Sequence, residues 1–160
     1  MSGFPKLNLP DYPVKVQPTE DGRLRVWDPL RSKYVALTPE EYVRQRFTAW
    51  LMADKHYPKS LLANEVSLRL NDTSRRADTL AVDRHGDPFL VVEYKSPHVA
   101  ISQAVFDQIV RYNLVMKAPY LVVTNGLKHY CCKVDIEAGT YHFIPEIPDW
   151  QEAMLGDSLN

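Results

Sequence analysis

The sequence predicts an α/β fold built on a mixed β-sheet, and three observations carry that prediction. Within residues 61–95, apolar runs alternate with turns short enough to make each strand the antiparallel neighbour of the next. A helical pattern at roughly 99–117 then separates the last of these runs from YLVVTNG (120–126), and a strand–helix–strand unit of this length favours a parallel, right-handed crossover. Another helical pattern, over 39–55, precedes them all. The order reads helix, three-strand meander, helix, strand, with added strands toward both termini.

Taken in turn, residues 1–22 carry Pro5, Pro10, Pro13 and Pro18 and are expected to form an extended arm. LRVWD (24–28) and KYVAL (33–37), joined by a turn with a proline, read as a hairpin. Thr38 before Pro39, Glu40 and Glu41 is a helix start: a capping hydroxyl, a proline at the first helical position and acids in the first turn. The helix should stop before Tyr57-Pro58.

Next, LLANEVSLRL (61–70) sets Val66, Leu68 and Leu70 on one side and Glu65, Ser67 and Arg69 on the other. RRADTLAVD (75–83) and PFLVVEYK (88–95) complete the meander around the DRHGD turn. Ile101, Val105, Ile109, Tyr112 and Met116 recur at helical spacing and give the second helix one apolar stripe. YLVVTNG is apolar throughout, as a strand covered on both faces should be. Asn125-Gly126 signals a hairpin into LKHYCCKVD (127–135), and TYHFI (140–144) adds an edge strand. The expected organisation is an arm (1–22), one domain (23–150) and a C-terminal tail (151–160).

Composition narrows the function classes. At 160 residues, 45% hydrophobic and 24% charged, the chain can bury a core without crosslinks. A formal net charge of −1 weighs against a simple electrostatic nucleic-acid or membrane binder, though not against an enzyme whose metal ions neutralise phosphate locally. Cys131 and Cys132 are adjacent, which suits neither a structural disulfide nor a zinc site, so they read as reduced strand residues. MSGFPKLNLP does not resemble a signal peptide, and no run is long enough to span a bilayer; a cytoplasmic protein is expected. The five histidines have no metal-ligand spacing, and there is neither a Gly-rich phosphate loop nor a Ser-His-Asp order.

The chemistry concentrates in FLVVEYKSP (89–97). Strand alternation puts Val91, Glu93 and Lys95 on one side and Val92 and Tyr94 on the other. Asp78 lies on the preceding strand, with 14 residues between it and Glu93, and so falls across the hairpin from Glu93 and Lys95. A lone Glu-x-Lys at a strand end is ordinarily a solvated ion pair. Two carboxylates converging with a lysine make more sense around a cation: Asp78 and Glu93 offer the hard oxygens that Mg²⁺ takes, with Mn²⁺ as an alternative. A bound metal activates water and neutralises charge on phosphate, while Lys95 orients or deprotonates the water or stabilises developing charge.

Asp78…Glu93-Tyr94-Lys95 resembles the PD-(D/E)XK nuclease motif, and the element order resembles the core of that restriction-endonuclease-like fold. Gln108-Ile-Val-Arg-Tyr112 is similar to the Gln-x-x-x-Tyr element of RecB-like members, its two polar ends sharing a helix face. DPLRSKYVALTPEEYVRQRF, RRADTLAV, FLVVEYKSP and APYLVVTNG resemble the N-terminal nuclease domain of type I restriction enzyme R subunits, over about residues 24–150. The proline often found before the first Asp is Ala77 here.

The resemblance implies a Mg²⁺-dependent DNA endonuclease. In that reading Asp78 and Glu93 bind metal, Tyr94 lends its backbone carbonyl, Lys95 is catalytic, and Gln108 and Tyr112 support the site or touch DNA. Tyr112 also lies on the apolar stripe. Glu65 is either a further metal acid or a solvent-facing partner of Arg69; Arg75 and Arg76 either contact phosphates or cap their strand; His98 is the histidine nearest the site. A full R subunit continues into a helicase-like motor, so the expected partners are DNA and a motor, methylase or specificity subunit encoded elsewhere. The alternative is a nucleic-acid-binding or assembly module that keeps the fold and does not cut.

Overall fold

Thr38 caps the first long helix as its sequence predicts: its hydroxyl accepts a hydrogen bond from the Glu41 amide at 3.1 Å, and α1 runs Pro39–Asp54. The structure, a computed structural model, describes residues 3–70 and 72–159. Ahead of α1, β1 (Val16–Pro18), β2 (Leu24–Asp28) and β3 (Lys33–Ala36) pair antiparallel into a small sheet of their own, so the added N-terminal strands do not extend the main sheet. After it come β4 (Leu62–Leu70), β5 (Thr73–Val82), β6 (Pro88–Tyr94), α2 (Gln103–Asn113), β7 (Tyr120–Thr124), β8 (His129–Asp135), β9 (Thr140–Ile144) and α3 (Trp150–Leu159).

The main sheet has six strands in the order β4-β5-β6-β7-β8-β9. Its β6–β7 pair is parallel and its other pairs are antiparallel, giving the mixed α/β sheet expected. Its two faces hold two cores. Leu90, Val92, Tyr94 and Val122 pack with Val43, Phe47 and Leu51 of α1, while Val91, Leu121 and Val123 pack with Phe106, Ile109 and Val110 of α2. β6 is therefore apolar at consecutive positions because helices cover it on both sides.

Several boundaries differ from those expected, each for a local reason. The second helix begins at Gln103 rather than near 99, because the Ser102 hydroxyl accepts from the Val105 amide and fixes the start there. It ends as a 3-10 turn, Leu114–Met116, closed by Lys117 at φ 56°. The arm is more structured than its prolines imply. Val16–Pro18 joins the small sheet, Leu7 is buried, and the Asn8 amide donates to the Gly126 carbonyl at 2.8 Å.

Gly126 (φ 85°) takes a left-handed conformation, and a Cβ there would lie 2.7 Å from Leu7 Cδ2. The β7–β8 connection is four residues rather than two, because Asn125 Oδ1 accepts from the amides of both Leu127 and Lys128. Residues 151–159 belong to α3 rather than to a trailing tail. Asp149 Oδ1 accepts from the Glu152 amide at 3.0 Å, the Trp150 indole donates to the Val82 carbonyl, and Met154 is buried. No helix among the described residues is long and apolar enough to cross a membrane.

Candidate active site

Pairing between β5 and β6 stops at the rung Thr79–Val92. The next residue on each strand is an acid, Asp78 on one and Glu93 on the other. β6 stays on β7 to its end: Tyr94 pairs Thr124, and the Lys95 amide donates to the Thr124 carbonyl at 2.9 Å. The Tyr94 amide, on the opposite edge of its strand, donates to Asp78 Oδ2 at 3.0 Å, a side chain standing in for the missing backbone partner.

On its other side Asp78 is unpaired too. The β4–β5 ladder pairs Asn64 with Thr79 and Val66 with Ala77, and passes over Glu65 and Asp78. Glu65 sits at φ 56°, a left-handed conformation uncommon for a strand residue, with the β4–β5 register the same on both sides of it. The Asp78 carbonyl accepts instead from Arg44 Nη1 at 2.9 Å.

Lys95 Nζ lies 3.8 Å from Glu93 Oε1, with the lysine side chain 30% and the glutamate 26% exposed. The Asp78 carboxyl is near enough to act on Glu93 electrostatically. Burial first, and then the charge on Asp78, push the Glu93 carboxyl up to about 7, with Lys95 opposing. Asp78, Glu93 and Lys95 thus share one opening at the end of β6.

Beneath them, on the α1 face, the Thr79 hydroxyl donates to Asn64 Oδ1 at 2.6 Å. Thr79 Oγ1 also lies 2.9 Å from the buried Tyr94 hydroxyl, which therefore donates to it, since the single Thr79 proton is already used. Asn64 Nδ2 continues to Asp28 Oδ2 at 3.0 Å.

Of the remaining sequence candidates, Glu65 is linked to Asp78 through Arg44. Glu65 does not pair with Arg69: its carboxylate bonds Arg44 Nη2 at 2.8 Å and also Arg76. Burial, the largest single influence, pushes the Glu65 carboxyl up, but these two arginines outweigh it and hold its pKa below the ordinary value. Arg75 lays its guanidinium over the Tyr112 ring at 4.7 Å. The Tyr112 hydroxyl accepts from the Arg76 amide at 3.4 Å, so Tyr112 meets the start of β5, and at 43% exposure it is off the buried stripe. Among the described residues no hydrogen bond joins Gln108 or Tyr112 to Lys95; Gln108 is exposed on α2, and exposed His98 turns its amide to Ser96 Oγ.

No group of three or more His, Cys, Asp and Glu side chains among the described residues could hold a metal ion. Asp78 and Glu93 nevertheless fit Mg²⁺, which binds through one or two carboxylates, keeps several waters and takes phosphate oxygens from its substrate. A carboxyl held protonated toward neutral pH by burial and a neighbouring acid is a position where a cation can replace the proton. The Tyr94 carbonyl faces the β5 side with its amide, as both groups of a strand residue do.

Sequence reasoning missed the residues behind the site. Glu41, Arg44, Gln45 and Arg46 are all buried, although a charged run on a helix start ordinarily faces water. Arg44 bonds Glu41 through Nε (2.9 Å) and Nη2 (2.8 Å), and Arg31 bonds Glu41 at 2.7 Å and also Asp28. The available signal was the three-residue spacing of Glu41 and Arg44 within an otherwise apolar helix.

Compared with known proteins, the chain matches the family described as type I restriction enzyme R protein N terminus over residues 39–148, which contain the whole site. No curated protein matches. Among solved structures, the fold is similar to the fragment structure of a putative HsdR subunit of a type I restriction enzyme from Vibrio vulnificus YJ016. That likeness has a TM-score of 0.50 at 20% identity, over 76% of this chain and 26% of that one. The present chain thus spans about a quarter of that protein's length.

Proposed function

The chain belongs to the type I restriction enzyme R protein N-terminal family, and from that premise we propose that it is a Mg²⁺-dependent endonuclease that hydrolyses DNA phosphodiester bonds. The observation that carries the reading is the opening at the end of β6: Asp78 and Glu93 are the first residues past the last β5–β6 rung, with Lys95 Nζ 3.8 Å from Glu93. In this reading Asp78, Glu93 and the Tyr94 carbonyl hold the metal, with Mn²⁺ as a substitute. The metal supplies Lewis-acid activation of water and neutralises phosphate charge.

The chain's own groups do the rest. Glu93 offers a metal-binding carboxylate beside Asp78 only once it has lost its proton, so the site is assembled above the pH at which Glu93 gives that proton up. Lys95 orients the attacking water and stabilises charge on the phosphate as the bond to the leaving oxygen breaks. Arg75 and Arg76, on the strand that carries Asp78, are suited to phosphate contacts, which position the backbone without reading sequence. The reading takes DNA as substrate, a motor, methylase or specificity subunit as partners, and the cytoplasm as the place of action.

The test is nicking of supercoiled plasmid by chelator-treated protein after addition of Mg²⁺ or Mn²⁺. Asp78→Asn, Glu93→Gln and Lys95→Ala should each slow cleavage by about 100-fold or more. Equal nicking by wild type and variants would overturn the assignment. Retention of plasmid without cleavage would favour the non-cleaving module.

A further inference from the structure

Asp78 is a candidate ligand on a piece of backbone that the sheet does not hold. Neither ladder pairs it: β4–β5 passes over it, and β5–β6 has already ended. Its carbonyl is anchored by Arg44 Nη1 at 2.9 Å, and its carboxylate by the Tyr94 amide at 3.0 Å. Arg44 reaches Asp78 from α1, with only 10% of its side chain exposed. The same guanidinium is held at its other nitrogens by Glu41 and by Glu65 Oε1 (2.8 Å), the residue at φ 56° across the β4–β5 ladder from Asp78.

One planar group therefore ties together the start of α1, the unpaired left-handed step of β4 at Glu65 and the unpaired step of β5. We infer that Arg44 and Glu65 are positioning residues: the Arg44–Glu65 ion pair, fastened to Glu41, holds β4 and β5 apart so that the Asp78 carboxylate stays beside Glu93. The inference rests on the proposed function only in its consequence for metal binding; the geometry it describes exists in the metal-free protein.

Glu65 is on this reading not a ligand. Both its oxygens already serve arginines, Oε1 for Arg44 and Oε2 for Arg76. Arg44 is not replaceable by lysine. A lysine ammonium is a point charge on a flexible stem, whereas the guanidinium donates from Nε, Nη1 and Nη2 in a fixed plane to Glu41, Asp78 and Glu65.

Two readouts on the full chain test this, and neither is activity. The first is hydrogen–deuterium exchange of the Tyr94 amide, followed by NMR in metal-free buffer, with the Val92 amide as the reference inside the ladder. Arg44→Lys and Glu65→Ala should speed Tyr94 exchange at least about tenfold and leave Val92 within about twofold. Glu65→Gln keeps an acceptor for Arg44 and should preserve Tyr94 protection. Leu51→Ala, a cavity in α1 away from the site, is the control for general loosening: it should speed both amides together.

The second readout is Mn²⁺ affinity by calorimetry. It should fall about tenfold in Arg44→Lys and Glu65→Ala and stay near wild type in Glu65→Gln. Should Arg44→Lys fail to fold, Glu65→Ala opens the same pair from its more exposed end. Unchanged Tyr94 exchange in the folded variants overturns the positioning role. Protected Tyr94 with lost Mn²⁺ affinity in Glu65→Gln makes Glu65 a ligand and overturns its assignment here. Failure of wild type to bind Mn²⁺, with the exchange results as expected, leaves the positioning intact and defeats the metal-nuclease reading instead.

Discussion

Replacing Glu93 with glutamine should make the metal-free protein more stable, and only above mildly acidic pH. Glu93 titrates at about 7 in the folded chain against an ordinary value of 4.5, because it is buried beside Asp78. The folded state thus holds its proton more tightly than the unfolded state does, and stability falls as pH rises between those two values. Below about pH 4 both states are protonated there and Glu93 costs nothing; above about pH 7 both are ionised and the cost is complete. A rise from 4.5 to about 7, at roughly 1.4 kcal/mol for each tenfold in proton affinity, corresponds to about 3 kcal/mol.

The side chain is 26% exposed, and Lys95 loses its partner in the variant, so about 2 kcal/mol is the expected gain. For a chain of this size that is a rise of roughly 4–8 °C in Tm. Urea unfolding in chelator at pH 4, 6 and 8.5 measures it, wild type against Glu93→Gln. Carboxylates remote from Glu93 are common to both proteins and cancel in the difference. A variant less stable than wild type at pH 8.5, or a difference that does not change with pH, would refute the account of Glu93. Millimolar Mn²⁺ should then restore the wild type and leave the variant unmoved, since a ligand that binds only the folded state stabilises it by mass action.

Other outcomes follow from the same geometry. Mn²⁺ affinity, by calorimetry, should weaken as pH falls below about 7, approaching tenfold for each further pH unit, because the metal must displace the Glu93 proton. Gly126→Ala should cost about 1–2 kcal/mol in urea unfolding and expose the arm to limited proteolysis, since φ is 85° there and the new Cβ meets Leu7. Phe47→Ala, which empties a fully buried ring position against Tyr94 and Trp50, should cost about 3–5 kcal/mol by the same assay.

Much of the fold was legible because its signals are local. Thr38-Pro39 marks a helix start whatever surrounds it, and the alternation of β6 needs only neighbouring residues to tell which side chains share a face. The misplaced boundaries depended on contacts remote in sequence. The arm is ordered by a glycine more than a hundred residues away, and α3 is held by a tryptophan reaching the end of β5 and a methionine in the core. Nothing within 151–160 alone announces either partner.

The candidate site divides along the same line. Asp78, Glu93 and Lys95 could be brought together from the sequence because a hairpin and a two-residue alternation suffice. What aims Asp78 could not, since it is a break in two ladders at once, filled by an arginine 34 positions earlier in the chain. An uninterrupted sheet at that step would satisfy Asp78's backbone with a neighbouring strand and leave α1 no reason to bury Arg44. A buried guanidinium is tolerated only with its donors and charge matched, and here Glu41, Glu65 and the Asp78 carbonyl do both. The buried charge on α1 and the open ladder at Asp78 are therefore two sides of one structural fact. A hydrophobic residue at position 44 would remove the cost of burying charge and, with it, the anchor that holds the Asp78 carbonyl beside the step where β5 and β6 part.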